Sequence, residues 1–103
     1  MSVREKSYED YGVTPDEINL AIKFSRIKQI DNSKTVIETA YDVKAEIATD
    51  IYYSIIKGLS YDELSKKNYI PIPRGDFYAY RRKTIAMIAL NLRDKEKDDV
   101  KYG

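Results

Sequence analysis

The chain has 103 residues, 43% of them hydrophobic and 34% charged, with a formal net charge of +1. That length suits one domain with a single small core. It contains no cysteine and no histidine, which excludes a disulfide framework, a thiolate metal site, and the usual general base and zinc ligand. Ten tyrosines against two phenylalanines favour shallow packing in which a ring is buried and a hydroxyl stays wet. Charge is divided unevenly. Residues 1–63 carry 8 Lys/Arg against 12 Asp/Glu, and residues 64–103 carry 10 against 5. A basic half hints at an anionic partner, or at attraction between the two halves of the fold.

Residues 1–12 show no hydrophobic period and read as a disordered N-terminal arm. They also lack the apolar stretch of a secretory signal, which points to a cytoplasmic protein. At "VTPDEI" the signals for a helix start coincide. Thr14 is placed to cap, Pro15 fits the first helical position, and Glu17 completes a capping box. The helix carries two apolar faces, Ile18, Ala21 and Ile22 on one and Leu20, Phe24 and Ile27 on the other. Such a helix lies between neighbours or at an interface, and dimerisation is one use for the second face. It is expected to end near "QIDNS", where Asp31, Asn32 and Ser33 favour a turn.

From Ser33 a stripe of Val36, Ile37, Ala40, Tyr41, Ile47, Ala48, Ile51, Tyr52 and Ile55 keeps the helical period. Residues 34–57 form either one long helix or two with a break near Asp42. Gly58 is the expected end. The "GLSYDEL" stretch then repeats the first start signature, with Ser60 capping and Glu63 completing the box for a short helix that ends near Asn68. Pro71 and Pro73 hold the next segment extended, and a last helix runs to about Arg93. Phe77, Tyr80, Thr84, Ile85, Ile88 and Leu92 share its broad apolar face, and Ala86, Met87 and Leu90 widen it, so this helix is expected to be central. Ile51, Ile55, Leu64, Phe77, Ile85 and Ile88 are the predicted core. Residues 94–103 read as a polar disordered tail.

The pattern therefore predicts an all-α fold, a single small domain of four or five helices over 13–93, with no membrane span. Nothing assembles a catalytic constellation. The carboxylates serve caps and wet faces, Ser65 and Lys66 point apart on a helix, and no glycine-rich phosphate loop occurs. The chain is not expected to be an enzyme or to hold a metal or cofactor.

What remains is a capped short helix, a tight connection, and a longer helix with Arg81, Arg82 and Lys83 in its early turns. This is the layout of a helix-turn-helix over 58–93, whose second helix lies in the major groove of duplex DNA. On the wheel Arg82 borders the apolar arc and Lys83 lies opposite it, so both are expected to be exposed. Arg81 falls within the arc and is expected to bury its stem and pair with a carboxylate. Gly58, Ser60, Tyr61, Leu64, Ile70, Pro71, Phe77, Tyr78, Tyr80, Arg81, Arg82 and Lys83 together resemble the C-terminal part of small phage and prophage proteins of Gram-positive bacteria. The stretch is more distantly similar to phage transcriptional regulators of the RinA and ArpU type, which use a sigma-factor-like helix-turn-helix. The resemblance implies DNA binding through Arg74, Tyr78, Arg82 and Lys83. Lys66 and Lys67, near the end of the short helix, are added as candidate nucleic-acid contacts. The alternative is a protein-binding adaptor, docking on a host protein through the same tyrosine and arginine patch, since both residue types are enriched at protein hot spots.

Overall fold

In the computed structural model, which describes the backbone of residues 2–102 and the side chains of residues 2–96, five α-helices follow two short 3-10 turns. The helices are α1 (Pro15–Ser25), α2 (Ile30–Lys44), α3 (Ala48–Lys57), α4 (Tyr61–Ser65) and α5 (Arg74–Tyr102). The domain is all-helical, with no strand among the described residues.

Both predicted capping boxes form. Thr14 Oγ1 accepts from the Glu17 amide (3.2 Å) while the Glu17 carboxylate accepts from the Thr14 amide (3.0 Å). Ser60 and Glu63 repeat the exchange at α4, at 3.1 and 3.2 Å. Each box satisfies donors that a helix start otherwise leaves orphaned. Gly58 closes α3 in the left-handed conformation (φ 67°), which costs glycine no steric strain.

The six predicted core residues are all buried: Ile51, Ile55, Phe77, Ile85 and Ile88 at 0% exposure and Leu64 at 5%. They join Val36, Ala40, Ile47, Ala48 and Ala86 in one cluster. The helix α5 is its axis, touching α1, α2, α3, α4 and the first 3-10 turn. Burying an isoleucine or phenylalanine side chain contributes about 1.5–3 kcal/mol, so this cluster carries much of the stability.

Four boundaries differ from the sequence reading, the smallest being that of α4, which ends at Ser65 rather than near Asn68. The turn expected at Asp31–Ser33 lies earlier, over residues 26–29, and those three residues form the first turn of α2. The reason is Asn32: its side-chain amide donates 2.9 Å to the Phe24 carbonyl at the end of α1, beside the 3.2 Å bond which that carbonyl accepts from the Ile27 amide. Residues 34–57 are two helices, broken at 45–47 rather than near Asp42. Lys44 takes an extended backbone there (φ −160°, ψ 94°), and its ammonium lies 5.6 Å from the Tyr80 ring centroid. Ile47 and Ala48 are still buried, which is why the apolar stripe keeps its phase across the break. The last helix runs on to Tyr102, past the expected end near Arg93, so residues 94–102 have a helical backbone where a disordered tail was expected. Their side chains from 97 onward lie outside the described residues.

The N-terminal arm differs most. Residues 1–12 were expected to be disordered, but Val3–Glu5 and Glu9–Tyr11 form 3-10 turns, the first of which lies along α5. Tyr8 and Tyr11 pack against the core beside buried Val13. Ser7 and Asp10 close the intervening turn, with the Ser7 amide donating 2.8 Å to the Asp10 carboxylate. Two rings and a valine give no 3.6-residue period, so periodicity could not detect this segment.

Candidate nucleic-acid interface

The corner between α4 and α5 is tied together by aromatic side chains. The Tyr61 ring meets Phe77 edge to face (5.5 Å, 64°), and Phe77 meets Tyr78 in the same way (5.6 Å, 83°). Tyr78 Oη accepts from the Tyr61 amide (3.0 Å), and Tyr61 Oη donates to the Ile72 carbonyl (2.8 Å). Arg74 pairs with Asp62 and stacks over the Tyr61 ring. Aromatic pairs of this kind add about 0.5–1.5 kcal/mol beyond their buried area, and each hydrogen bond about 0.5–1.5 kcal/mol, so the corner holds α4 firmly on α5.

The predicted contact residues do not form one face. Lys66 and Lys67 are exposed in the turn after α4, and Arg74 is exposed at the start of α5. Tyr78 is half-buried, and its hydroxyl is engaged by α4. Arg82, expected to be exposed, is half-buried. Its Nε donates 2.7 Å to the Lys6 carbonyl and its Nη2 donates 3.5 Å to the Arg4 carbonyl. Lys83, also expected to be exposed, is half-buried in a groove between α2 and α5 with Thr39, Asp42 and Asn91. These corrections share one cause. The arm and α2 flank the early turns of α5, so cations pointing toward either of them meet protein rather than solvent.

Arg81 has the buried stem that the wheel assigns to it, but not the acid. Its Nε donates 2.8 Å to Ser54 Oγ, and Ser54 Oγ in turn donates 2.7 Å to the Leu59 carbonyl. Among the described residues no carboxylate lies within ion-pair distance of Arg81. Burial pulls the guanidinium's pKa below its usual value, and burial raises that of the neighbouring Tyr8 hydroxyl.

Further along α5, Arg93 clamps the start of α1. Its Nε and Nη2 each donate 2.6 Å to the Glu17 carboxylate, and Nη2 donates 2.7 Å to the Gly12 carbonyl. The hydrogen bonds from Arg93, then that from the Thr14 amide, pull the Glu17 pKa down to about 2. At the opposite end of the helix the Arg4 guanidinium rests on Gly75, where a Cβ would sit 2.5 Å from Arg4 Nη2, and reaches Asp76 at 3.7 Å. The arm is therefore fastened to α5 along most of its buried length.

One residue escaped the sequence reading. Tyr69 is 88% exposed, directly after Lys66, Lys67 and Asn68 in the α4–α5 connection. Its signal was available: an aromatic beside two lysines, in a segment that Pro71 keeps from being helical. The exposed cations and aromatic at the corner are thus Lys66, Lys67, Tyr69 and Arg74, with Asp62 and Glu63 of α4 exposed beside them and Asp62 paired to Arg74.

Among the described residues no helix is long and apolar enough to cross a membrane. No protein-family profile, no curated protein and no solved structure matches the chain.

Proposed function

We propose that this is a small, non-enzymatic DNA-binding protein of phage type, acting in the cytoplasm as a regulator or accessory factor. It contacts duplex DNA through the helix-turn-helix-like corner of α4 and α5. The observation that carries the reading is the exposure of Lys66, Lys67, Tyr69 and Arg74 around a corner that is otherwise rigid. Two exposed lysines and a phenol suit phosphate contact, since lysine neutralises backbone charge and tyrosine donates a hydrogen bond to a phosphate oxygen; Arg74, paired with Asp62, joins them only by exchanging that carboxylate for a phosphate. Tyr78 and Arg82 then act from within, one holding α4 and the other holding the arm. Lys83, in the α2–α5 groove, lies off this contact. A single unit of this size binds weakly, and two copies on two half-sites would supply the missing affinity.

A second reading, a protein-binding adaptor, is favoured by a different observation, the open apolar groove between α1 and α5. The tyrosine and arginine patch does not support it, because Tyr78, Arg81 and Arg82 are occupied internally.

Fluorescence anisotropy with mixed-sequence duplex DNA at about 50 and about 200 mM salt separates the two. The DNA reading expects binding that falls steeply over this range through counterion release. Absence of binding at the lower salt removes it and leaves the adaptor.

A further inference from the structure

The helix α1 turns a second, unpartnered face outward. One helical turn to the next, Asp16, Leu20 and Lys23 align on it, with Phe24 at its border and Ile27 following in the turn just past the helix end. Leu20 is 56% exposed and Ile27 is 48% exposed, although each belongs to an apolar series that would normally be covered. Beside them Ala89 and Leu92 of α5 complete a groove of about 400 Å³. The groove is stiff, because the Arg93–Glu17 pair and the Thr14 capping box fix the start of α1 against α5.

Charge order says what fits this face. The outward side of α1 begins acidic, at Asp16, and ends basic, at Lys23, with exposed Lys28 just beyond, while Arg26 turns to the Ile55 carbonyl of α3. A helix laid on it must present apolar residues at the same spacing and the opposite charge order. The chain's own α1, run antiparallel, meets both requirements. Leu20, Phe24 and Ile27 interleave across the seam, each acidic start faces the other copy's basic end, and the two helix dipoles oppose.

We propose that the outward face of α1 is a self-association surface on which a second copy of this chain packs its α1 antiparallel. The proposal deepens the two-copy element of the DNA reading, and its test is read without DNA, so that the two fail separately. One short helix pair buries less than the ~800 Å² per partner of a standard interface, so association is weak, with a dissociation constant on the order of 10–100 µM.

Sedimentation equilibrium on the full chain should show reversible growth of the 12.0 kDa monomer toward twice that mass. Leu20→Glu should weaken association at least tenfold with no change in helical content. Asp16→Lys and Lys23→Glu should each weaken it alone, since each sets like charges across the seam. Mixing those two variants should restore association as a mixed dimer, because the charges across the seam are then opposite throughout. A chain that stays monomeric up to about 1 mM overturns the proposal, leaving the groove to a different protein. A dimer indifferent to Leu20→Glu, or a mixture that fails to recover, also overturns it, by moving the interface elsewhere or removing the antiparallel order.

Discussion

The early turns of α5 and the connection that leads into them are both rich in cations, and the fold treats them in opposite ways. Arg81, Arg82 and Lys83 are consecutive, but on a helix each step rotates the side chain by 100°, so the three point to three neighbours. Arg81 reaches Ser54 on α3, Arg82 reaches the arm, and Lys83 enters the groove beside α2. Lys66 and Lys67 follow the end of a five-residue helix and stay in water, joined by Tyr69 and Arg74. A run of like charges in a sequence is thus not a patch on a surface. The planar guanidinium, with several donors in a fixed fork, is suited to collecting carbonyls inside a fold, while lysine is more readily left solvated.

That contrast makes several changes informative, the largest at the base of the corner. Phe77 is fully buried between Tyr61 and Tyr78, and Phe77→Ala should cost about 3–5 kcal/mol by denaturant unfolding. For a domain whose whole stability is about 5–15 kcal/mol, that variant will be marginal, and unchanged stability would show the corner to be loose. Next is Arg82→Ala. Because Arg82 holds the Lys6 and Arg4 carbonyls, its removal should cost about 1.5–3 kcal/mol and speed amide exchange over residues 3–11. Were Arg82 exposed, as the helical wheel alone predicts, its loss would cost little stability, and this measurement decides between the two. Ser60→Ala removes the cap of α4 and should cost about 1 kcal/mol, loosening the corner without touching its cations.

Acid should act through Glu17. Its folded pKa, about 2, lies below the ordinary value of 4.5. The Arg93 pair therefore stabilises the fold fully above about pH 4.5, and its contribution fades as pH falls toward 2. Glu17→Gln should flatten that part of a stability-against-pH profile, and an identical profile would show that the pair contributes nothing.

The sequence made the caps, the core and the helical class readable because each rests on local spacing: Thr14 with Glu17, Ser60 with Glu63, and isoleucines at the helical period. The positions of the arm and of Arg82 were not readable, because both depend on contacts between residues far apart in the chain, Arg82 with Lys6 and Arg93 with Gly12. Tyr8 and Tyr11 looked like surface residues for the same reason. Asn32 looked like a turn residue and instead donates to the end of the helix before it. Exposure at Lys66 and Lys67 could be read, since a short helix followed by prolines leaves little to cover them.

The central claim, that the α4–α5 corner meets DNA, is tested most directly by the salt dependence of duplex binding for the parent chain and for Lys66→Glu with Lys67→Glu. Both lysines are exposed, so the reversal should change stability by less than about 0.5 kcal/mol. It should weaken binding to every duplex sequence and flatten the slope of log K against log salt by about 0.9 for each phosphate that is no longer neutralised. Equal affinity and equal slope in the two chains would contradict the account.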